Sequence, residues 1–408
     1  MDERSRSTGP VTPPGGGLRA WGVCLLLVCG TVLGLLGTDL VLPAVPSLPE
    51  ALGGSPARAQ LVLAAYAAGS GLGLLAFGEL GSRVDPRWLL VGSLVAFAGS
   101  SLAAAASGAV ATLVLWRVLQ GTSGAAPAVF APGMIRLLFD EQRAIGAMGV
   151  LARVEALVPA LAPLLGVWLL ELGGWRLSFR LLGALALALA VLVALRRERL
   201  PAPSPREGER RHVGYGTLLT DRVFLRYAGS HAFTLGALLT FVFGAPAVIT
   251  GALGGSLGDF VRMQIAGIAT FVLASNLAGP LALRVGTERV VLAGSVISAA
   301  GAVALLLHGL AGADDPARLP WLFVPMNLGL GLRGPPGFLR AVQASKGDDA
   351  RGAALVMLAV LALAALGTAT VAPWITVGLV PLTAVAAALS VTGVILLVVL
   401  PPPAEDAE

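Results

Sequence analysis

The sequence predicts an all-α integral membrane protein whose twelve transmembrane helices form two parallel six-helix repeats. Three observations carry this prediction: an apolar composition, apolar segments of bilayer-crossing length, and short motifs that recur at nearly one offset. Of the 408 residues, 56% are hydrophobic and 12% are charged, and the mean hydropathy is +0.85. A soluble domain carries about 25% charged residues and cannot enclose this much apolar sequence. The composition therefore excludes a soluble enzyme.

Twelve apolar segments are long enough to cross a bilayer, which takes about 20 residues. They lie at 20–42, 58–79, 88–107, 111–131, 144–170, 177–195, 224–248, 259–282, 289–309, 319–341, 352–372 and 379–400. The first segment follows three arginines, as the core of a signal peptide would, but it lacks a small-residue cleavage site. We therefore expect it to be retained as a helix.

The positions of the basic residues predict the orientation, because Lys and Arg concentrate in cytoplasmic loops. With the N-terminus inside, the inner segments hold 20 positive residues and the outer ends hold five. We expect a bacterial plasma-membrane protein with both termini in the cytoplasm. The predicted parts are a tail (1–19), a six-helix bundle (20–195), a basic linker (196–223), a second six-helix bundle (224–400) and a C-terminal tail (401–408).

Four short motifs of the first half recur in the second half in the same order, at offsets of 201 to 204 residues. They are PAV at 43–45 and 246–248, ALGGS at 51–55 and 252–256, the pair Gly78 and Arg83 with Gly279 and Arg284, and PGMIR at 132–136 with PGFLR at 336–340. Both copies place their arginines on the same predicted side, so the repeats are parallel. Such a duplication predicts a cavity between the halves.

The residue content does not support ATP hydrolysis, a disulfide or a metal site. Lys346 is the only lysine and is followed by Gly347 and Asp348, so the chain lacks the phosphate loop of an ATPase. Cys24 and Cys29 both fall in the first apolar segment, where packing in a helix explains them, and the three histidines have no metal-site spacing. We therefore expect no cofactor, metal or ATP, and no nucleic-acid partner.

Five ionisable residues lie inside the predicted segments, where charged groups cost free energy and are candidates for function. They are Asp39, Arg117, Arg153, Glu155 and Arg333. Asp39 and Arg117 lie at overlapping depths near the outer surface, so they could pair or compete for one site. A carboxylate that is paired in one state and protonated in another is what proton coupling requires. The alternative for Asp39 is a solvated residue at a helix end.

Arg153 and Glu155 lie two residues apart near the middle of the fifth segment and point to nearly opposite sides of the helix. Glu155 shares its face with Pro159, Pro163 and Gly166, which predicts a close and bendable helix contact. One of the two charges is expected to face the cavity, and the other needs a partner on a neighbouring helix. The alternative is that both are structural.

Three further segments resemble a known family: TDLVLPAVPSLPEALG at 38–53, LVLWRVLQGTSGAA at 113–126 and VPALAPLLG at 158–166. They are similar to motifs of the drug:proton antiporters of the major facilitator superfamily, in the Bcr/CflA branch of bicyclomycin and chloramphenicol/florfenicol exporters. The resemblance covers nearly the whole chain. It puts Asp39 in the acidic position of the first span, Arg117 and Gly121 in the fourth-span motif, and Pro163 and Gly166 in the antiporter motif of the fifth span.

The loop between the second and third segments, GELGSRVDPRWLL at 78–90, matches the family only in part. Gly78, Arg83 and Arg87 agree with the family's inner-loop motif, whereas Ser82 replaces its aspartate and Asp85 its second glycine. In the family that aspartate helps to latch the inner gate by charge pairing. Asp85 either takes over this role or leaves a weaker latch.

The resemblance implies an exporter of small drugs or antibiotics that works by alternating access, uses the proton gradient and is a monomer in the lipid bilayer. Three arginines against two carboxylates favour polar, neutral or anionic solutes over lipophilic cations. Asp39 and Glu155 are the predicted protonation sites, and Arg117, Arg153 and Arg333 the predicted cavity residues. An uptake symporter or uniporter is the main alternative, since the fold does not fix the function; an integral-membrane enzyme and a sensor without transport activity are further ones.

Overall fold

The computed structural model describes residues 17–81, 83–201, 215–312, 315–345 and 349–402. These residues form helices and short connections, with no β-strand among them, so the all-α prediction is confirmed. The greater part of the predicted tails and linker, together with Ser82 and Lys346, lies outside the described residues.

The α-helices of the N-terminal half of the chain follow one another with short connections. They are α1 (Leu18–Asp39), α2 (Leu48–Leu52), α3 (Pro56–Leu80), α4 (Pro86–Ala105), α5 (Val110–Gly124), α6 (Ala126–Leu138), α7 (Glu141–Gly173) and α8 (Trp175–Leu195). A 3-10 turn, Leu42–Ser47, connects α1 to α2.

The C-terminal half repeats this succession of helices. Its members are α9 (Tyr215–Thr220), α10 (Arg222–Ala247), α11 (Leu257–Val285), α12 (Thr287–Leu310), α13 (Leu319–Gln343), α14 (Asp349–Val371) and α15 (Leu379–Val399). A π turn, Val248–Ala252, continues α10, and a 3-10 turn, Ala372–Trp374, continues α14.

Every predicted segment coincides with a helix, except that the fourth is divided between α5 and α6. Among the described residues, nine helices are long and apolar enough to cross a membrane, and the bent α7 would be a tenth. The other two predicted crossings do not meet these criteria, for identifiable reasons. Neither α5 nor α6 alone has the length of a crossing, and α13 is 25 residues long but carries Arg333, Arg340 and four prolines.

Side-chain caps fix where several helices begin. Ser55, Asp85, Asp140 and Asp221 each accept a hydrogen bond from a backbone N–H in the first turn of α3, α4, α7 and α10, respectively. Ser256 forms a reciprocal capping box at the start of α11. Such caps satisfy N–H groups that have no partner within the helix. The short polar connections therefore determine helix lengths that fit a bilayer.

The packing of α3 against α5 depends on glycine. A Cβ built on Gly69 would lie 2.2 Å from the carbonyl oxygen of Val118, and one on Gly121 would lie 2.2 Å from that of Tyr66. No side chain fits at such distances, so the two backbones are in direct contact at both points. Small residues that permit this approach are the usual basis of helix packing in membranes. Gly121, a residue of the fourth-span motif, therefore has a packing role.

Among the described residues, the two halves share an apolar core at one end. We call the end at which α1 and α10 finish the distal end, and the end at which they begin the terminal end. The large core cluster joins the N-terminal half to distal residues of α10, α11, α12, α13, α14 and α15. A second cluster around Phe224, Tyr227 and Val356 lies at the terminal end of the C-terminal half and, among the described residues, is separate from it. The described conformation is thus closed distally.

Replacing Gly121 with alanine is expected to destabilise the protein by about 1–3 kcal/mol, because overpacking forces the α3 and α5 backbones apart. The measurement is thermal unfolding of the purified protein in detergent. Gly99→Ala is the matched control, since Gly99 lies in α4 with nothing within 4 Å of its virtual Cβ. Equal unfolding temperatures for the two variants would contradict the packing role of Gly121.

Candidate substrate and proton sites

Arg117 is completely buried inside the N-terminal half. Its Nε donates to the carbonyl oxygen of Val62 at 3.1 Å, and its Nη1 donates to that of Gly37 at 2.6 Å and to Gln120 Oε1 at 2.8 Å. Gln120 Nε2 in turn donates to Ser101 Oγ at 2.7 Å. The guanidinium thus connects α1, α3, α4 and α5 through neutral oxygens. In this conformation it lies in the interior of the half and not on a cavity surface.

Tyr66 of α3 completes this network, and the sequence interpretation did not include it. The Arg117 Cζ lies 4.1 Å from the centroid of the Tyr66 ring, a cation–π geometry. The Tyr66 hydroxyl donates to the carbonyl oxygen of Gly34. A Cβ on Gly37 would lie only 2.2 Å from that hydroxyl, so glycine at this position lets the tyrosine reach α1. The sequence feature that could have pointed to Tyr66 is that it is the single tyrosine in the predicted apolar segments of the first half.

Asp39 is the last residue of α1 and is half-buried. It comes two residues after Gly37, whose carbonyl oxygen accepts a hydrogen bond from Arg117. In the described part of the chain, Arg117 binds this carbonyl and forms no ion pair with Asp39. The structure therefore brings the predicted pair to the same end of α1 with a backbone carbonyl in the place of the carboxylate.

Gly166 of α7 packs against the same end of α1, at the residues that follow Asp39. A Cβ on Gly166 would lie 2.5 Å from the carbonyl oxygen of Leu40 and 3.2 Å from Pro43 Cδ. The glycine of the fifth-span motif therefore lets α7 pack against the backbone that follows Asp39. Residues of the three resembling segments meet around one helix end, although more than 120 residues separate the first from the last.

Glu155 and Arg153 occupy different sides of α7. The Glu155 side chain is half-buried and lies beside Thr31 of α1, whose hydroxyl donates to the Val28 carbonyl oxygen at 2.9 Å. Arg153 is exposed and lies in a stripe with the exposed side chains of Leu157 and Leu161. Glu155 therefore faces α1 at Thr31, which is eight residues before Asp39 in that helix. Arg153 faces away from α1.

The prolines of α7 accompany a bend. The helix axis turns by 45° between Gln142–Pro159 and Leu161–Gly173. Pro159 and Pro163 have no N–H to donate within the helix, which weakens the backbone bonding at this point. The segment of α7 that carries Glu155 can therefore tilt relative to the segment that carries Gly166.

Arg333 is also completely buried, in the C-terminal half. Its Nη1 donates to the Ser230 carbonyl oxygen at 3.1 Å and its Nη2 to Ser230 Oγ at 3.2 Å. A Cβ on Gly294 would lie 2.9 Å from Arg333 Cβ, and one on Gly337 would lie 3.2 Å from its Nη2. Arg333 holds α13 against α10 and is enclosed in this conformation.

The end of α3 and the loop that leads to α4 show local roles for their charged residues. Gly78 is exposed, and Arg83 Nη2 lies 2.6 Å from Glu79 Oε1 in an exposed i,i+4 pair. Asp85 Oδ1 accepts the Arg87 backbone N–H at 2.9 Å and caps α4. The carboxylate that the family resemblance suggested as a substitute latch is thus used as a helix cap in this conformation.

Comparison with known proteins agrees with this architecture. The chain is 27% identical to the multidrug resistance protein MdtL of Klebsiella pneumoniae over 286 residues, 69% of this chain and 72% of MdtL. It is 36% identical to a chloramphenicol resistance protein of Pseudomonas aeruginosa over 166 residues, 39% of this chain and 38% of that protein. A bacterial homologue of the human lysosomal transporter Spinster, crystallised inward-facing and unoccupied, has the same fold with a TM-score of 0.71, 14% identity and coverage of 94% and 96%.

The family itself is shown by a match that extends over most of the helices described above. Residues 27–335 match the Major Facilitator Superfamily, a span that includes α3 to α12 whole. This result confirms the predicted resemblance and identifies a multi-pass membrane transporter rather than an enzyme. The chain belongs to the Major Facilitator Superfamily.

Proposed function

We propose that this transporter exports small, polar, uncharged drugs or antibiotics in exchange for protons. The observation that carries the proposal is the meeting of Asp39, the Arg117 network and Gly166 at one helix end, in three segments that resemble drug:proton antiporters. The relatives named for multidrug and chloramphenicol resistance support export of such compounds. The alignments cover between 38% and 72% of these two relatives, so they support a class of solute rather than a particular drug.

The proposed proton site is Asp39. In the distally closed conformation, Arg117 donates to the Gly37 carbonyl oxygen and leaves Asp39 outside its hydrogen bonds. When Asp39 is ionised, its carboxylate competes with that carbonyl for the guanidinium; when Asp39 is protonated, the competition ends. A proton would in this way change how the end of α1 sits against α3 and α5, which is the differential interaction that coupling requires.

The proposed solute site lies along α1 and α7. Glu155 lies beside Thr31 of α1, and the proline bend lets this part of α7 move relative to Gly166. A solute with hydroxyl or amide groups would donate to the Glu155 carboxylate, since the Thr31 hydroxyl is bonded to the Val28 carbonyl oxygen. Arg153 is a candidate contact in a conformation that turns its face inward. We assign Arg333 to helix packing in the distally closed state, because it is enclosed and bonded to Ser230.

The orientation and the domain boundaries belong to the same proposal. We infer that the bundles 20–195 and 224–400 move as units about the linker 196–223, in a monomer with both termini in the bacterial cytoplasm. The asymmetry of the basic residues, 20 inside against five outside, supports this orientation. The distally closed conformation would then be the one that receives solute from the cytoplasm.

Gradient-driven export is the direct test. In proteoliposomes with an imposed pH gradient, the wild type is expected to move chloramphenicol or bicyclomycin against the proton flow, in preference to a cationic dye. Asp39→Asn and Glu155→Gln are each expected to lower this flux about tenfold or more, the effect of about 1.4 kcal/mol on a coupled step. Isotope-labelled drug uptake and a pH-sensitive dye measure the two fluxes.

Glu50→Gln is the matched control, since Glu50 is an exposed carboxylate of α2 at the distal end and its loss should leave the flux unchanged. If the wild type moves no drug in response to the gradient, the antiport proposal fails. Accumulation of solute with the proton flow would instead establish a symporter. Preference for the dye would contradict the proposed solute class.

Tyr66→Phe tests the network around α1. It removes the hydrogen bond to Gly34 and keeps the ring beneath Arg117, so we expect a loss of about 1 kcal/mol of stability and a severalfold fall in coupled flux. Tyr227→Phe is the control, because it removes a tyrosine hydrogen bond of 2.7 Å, to Glu288, at the terminal end of the other half. Equal losses of flux in the two variants would show that Tyr66 contributes only general stability.

A further inference from the structure

The contact that closes the distal end is almost entirely apolar. The 3-10 turn Leu42–Ser47 packs on α10, and α3 packs on the turn Ala372–Trp374. The residues of these turns that face the core include Leu42, Val45 and Ala372, each at most 2% exposed. We call this contact the distal seal. Because a transporter of this family must open both ends in turn, the distal seal has to separate in every cycle.

Gln60 of α3 is a polar exception within the distal seal. Its side chain is 1% exposed, and its Nε2 donates to the carbonyl oxygen of Phe243 in α10 at 2.7 Å. The bond connects residues 183 positions apart, on opposite halves of the chain. Among the described residues, its Oε1 is buried with no hydrogen-bond partner. The amide therefore makes one hydrogen bond in the closed state, of the four that such a group can make in water.

The free-energy balance of this amide favours separation of the seal. A buried polar atom with no partner costs more than one neutral hydrogen bond returns, and an apolar group of the same shape at such a site is neutral or stabilising. When the halves part, water reaches both the amide nitrogen and the oxygen. The hydrogen bond of Gln60 Nε2 fixes the relative position of α3 and α10, whereas the unpartnered Oε1 limits the stability of the contact between them.

We propose that Gln60 keeps the distal seal reversible: an apolar side chain of the same length would close the seal too firmly, and a charged one would open it. This inference concerns the balance between the two access states. It holds whichever solute or ion the protein carries, so it does not depend on the proposed antiport.

The experiment measures how often the distal end opens. Val45→Cys places a thiol in the buried turn of the distal seal, in a chain that lacks the exposed Cys29 (Cys29→Ala) and retains the buried Cys24. The rate at which a water-soluble maleimide labels position 45 reports the open population, even when that population is small. The rate at Cys24, read in the same sample by mass spectrometry, reports unfolding.

We expect the labelling rates at position 45 to follow the order Gln60→Glu, wild type, Gln60→Met, with about fivefold between neighbours, as one neutral polar interaction allows. The rate at Cys24 should stay constant. Gln60→Leu is measured beside Gln60→Met, so that a side chain that does not fit leaves a second apolar variant. Gln343→Glu is the control for an added carboxylate, since Gln343 is exposed at the terminal end.

Two results would overturn the proposal. If Gln60→Met and Gln60→Leu both label faster than wild type with Cys24 still protected, Gln60 acts as a simple latch that holds the seal shut. If all variants label at the wild-type rate, Gln60 has no influence on the seal. Because no solute or gradient is present, neither result bears on the antiport proposal.

Discussion

The buried guanidinium of Arg117 sets the main constraint on the N-terminal half. A charge inside a membrane protein is stable only where fixed dipoles replace water. Here the replacements are the carbonyl oxygens of Gly37 and Val62 and the amide of Gln120, on three different helices. These helices must approach until their backbones touch, which is why glycine occupies positions 69 and 121 at the crossing of α3 and α5. The tight packing of this half is a consequence of holding one cation.

The C-terminal half solves the same problem with different residues. Arg333 donates hydrogen bonds to the carbonyl and hydroxyl oxygens of Ser230. Gly294 and Gly337 lack the side chains that would collide with it. In each half one guanidinium nitrogen, Arg117 Nη2 or Arg333 Nε, is buried without a partner among the described residues. Because the two arginines sit at different positions in the repeat, the similarity reflects a shared physical need and not a copied motif.

The helices and their order could be predicted from sequence because a bilayer demands long apolar segments, and polar connections such as those around Asp85 and Asp140 end them. Sequence depth also predicted overlapping depths for Asp39 and Arg117, and in the structure Arg117 binds the Gly37 carbonyl oxygen at that end of α1. The enclosure of Arg117 and Arg333 could not be foreseen, because depth along a helix does not say which neighbour covers the side chain. Tyr66 and Gln60 were missed for a related reason: each is an ordinary helical residue until the partner carbonyl, at Gly34 or Phe243, is known.

The first three turns of α3 connect the proposed proton site to the distal seal. Gln60 reaches across to the other half, Val62 offers its carbonyl oxygen to Arg117, and Tyr66 supports the same guanidinium. All three belong to one continuous helix. A shift of Arg117 toward Asp39 would therefore break its hydrogen bond to the Val62 carbonyl oxygen and change the position of Gln60 against α10. From the other side, the chain after Asp39 runs directly into the turn Leu42–Ser47 that forms the distal seal. A proton at Asp39 would therefore act on both faces of the seal at once, through α3 and through the end of α1, without a long-range path between separate sites.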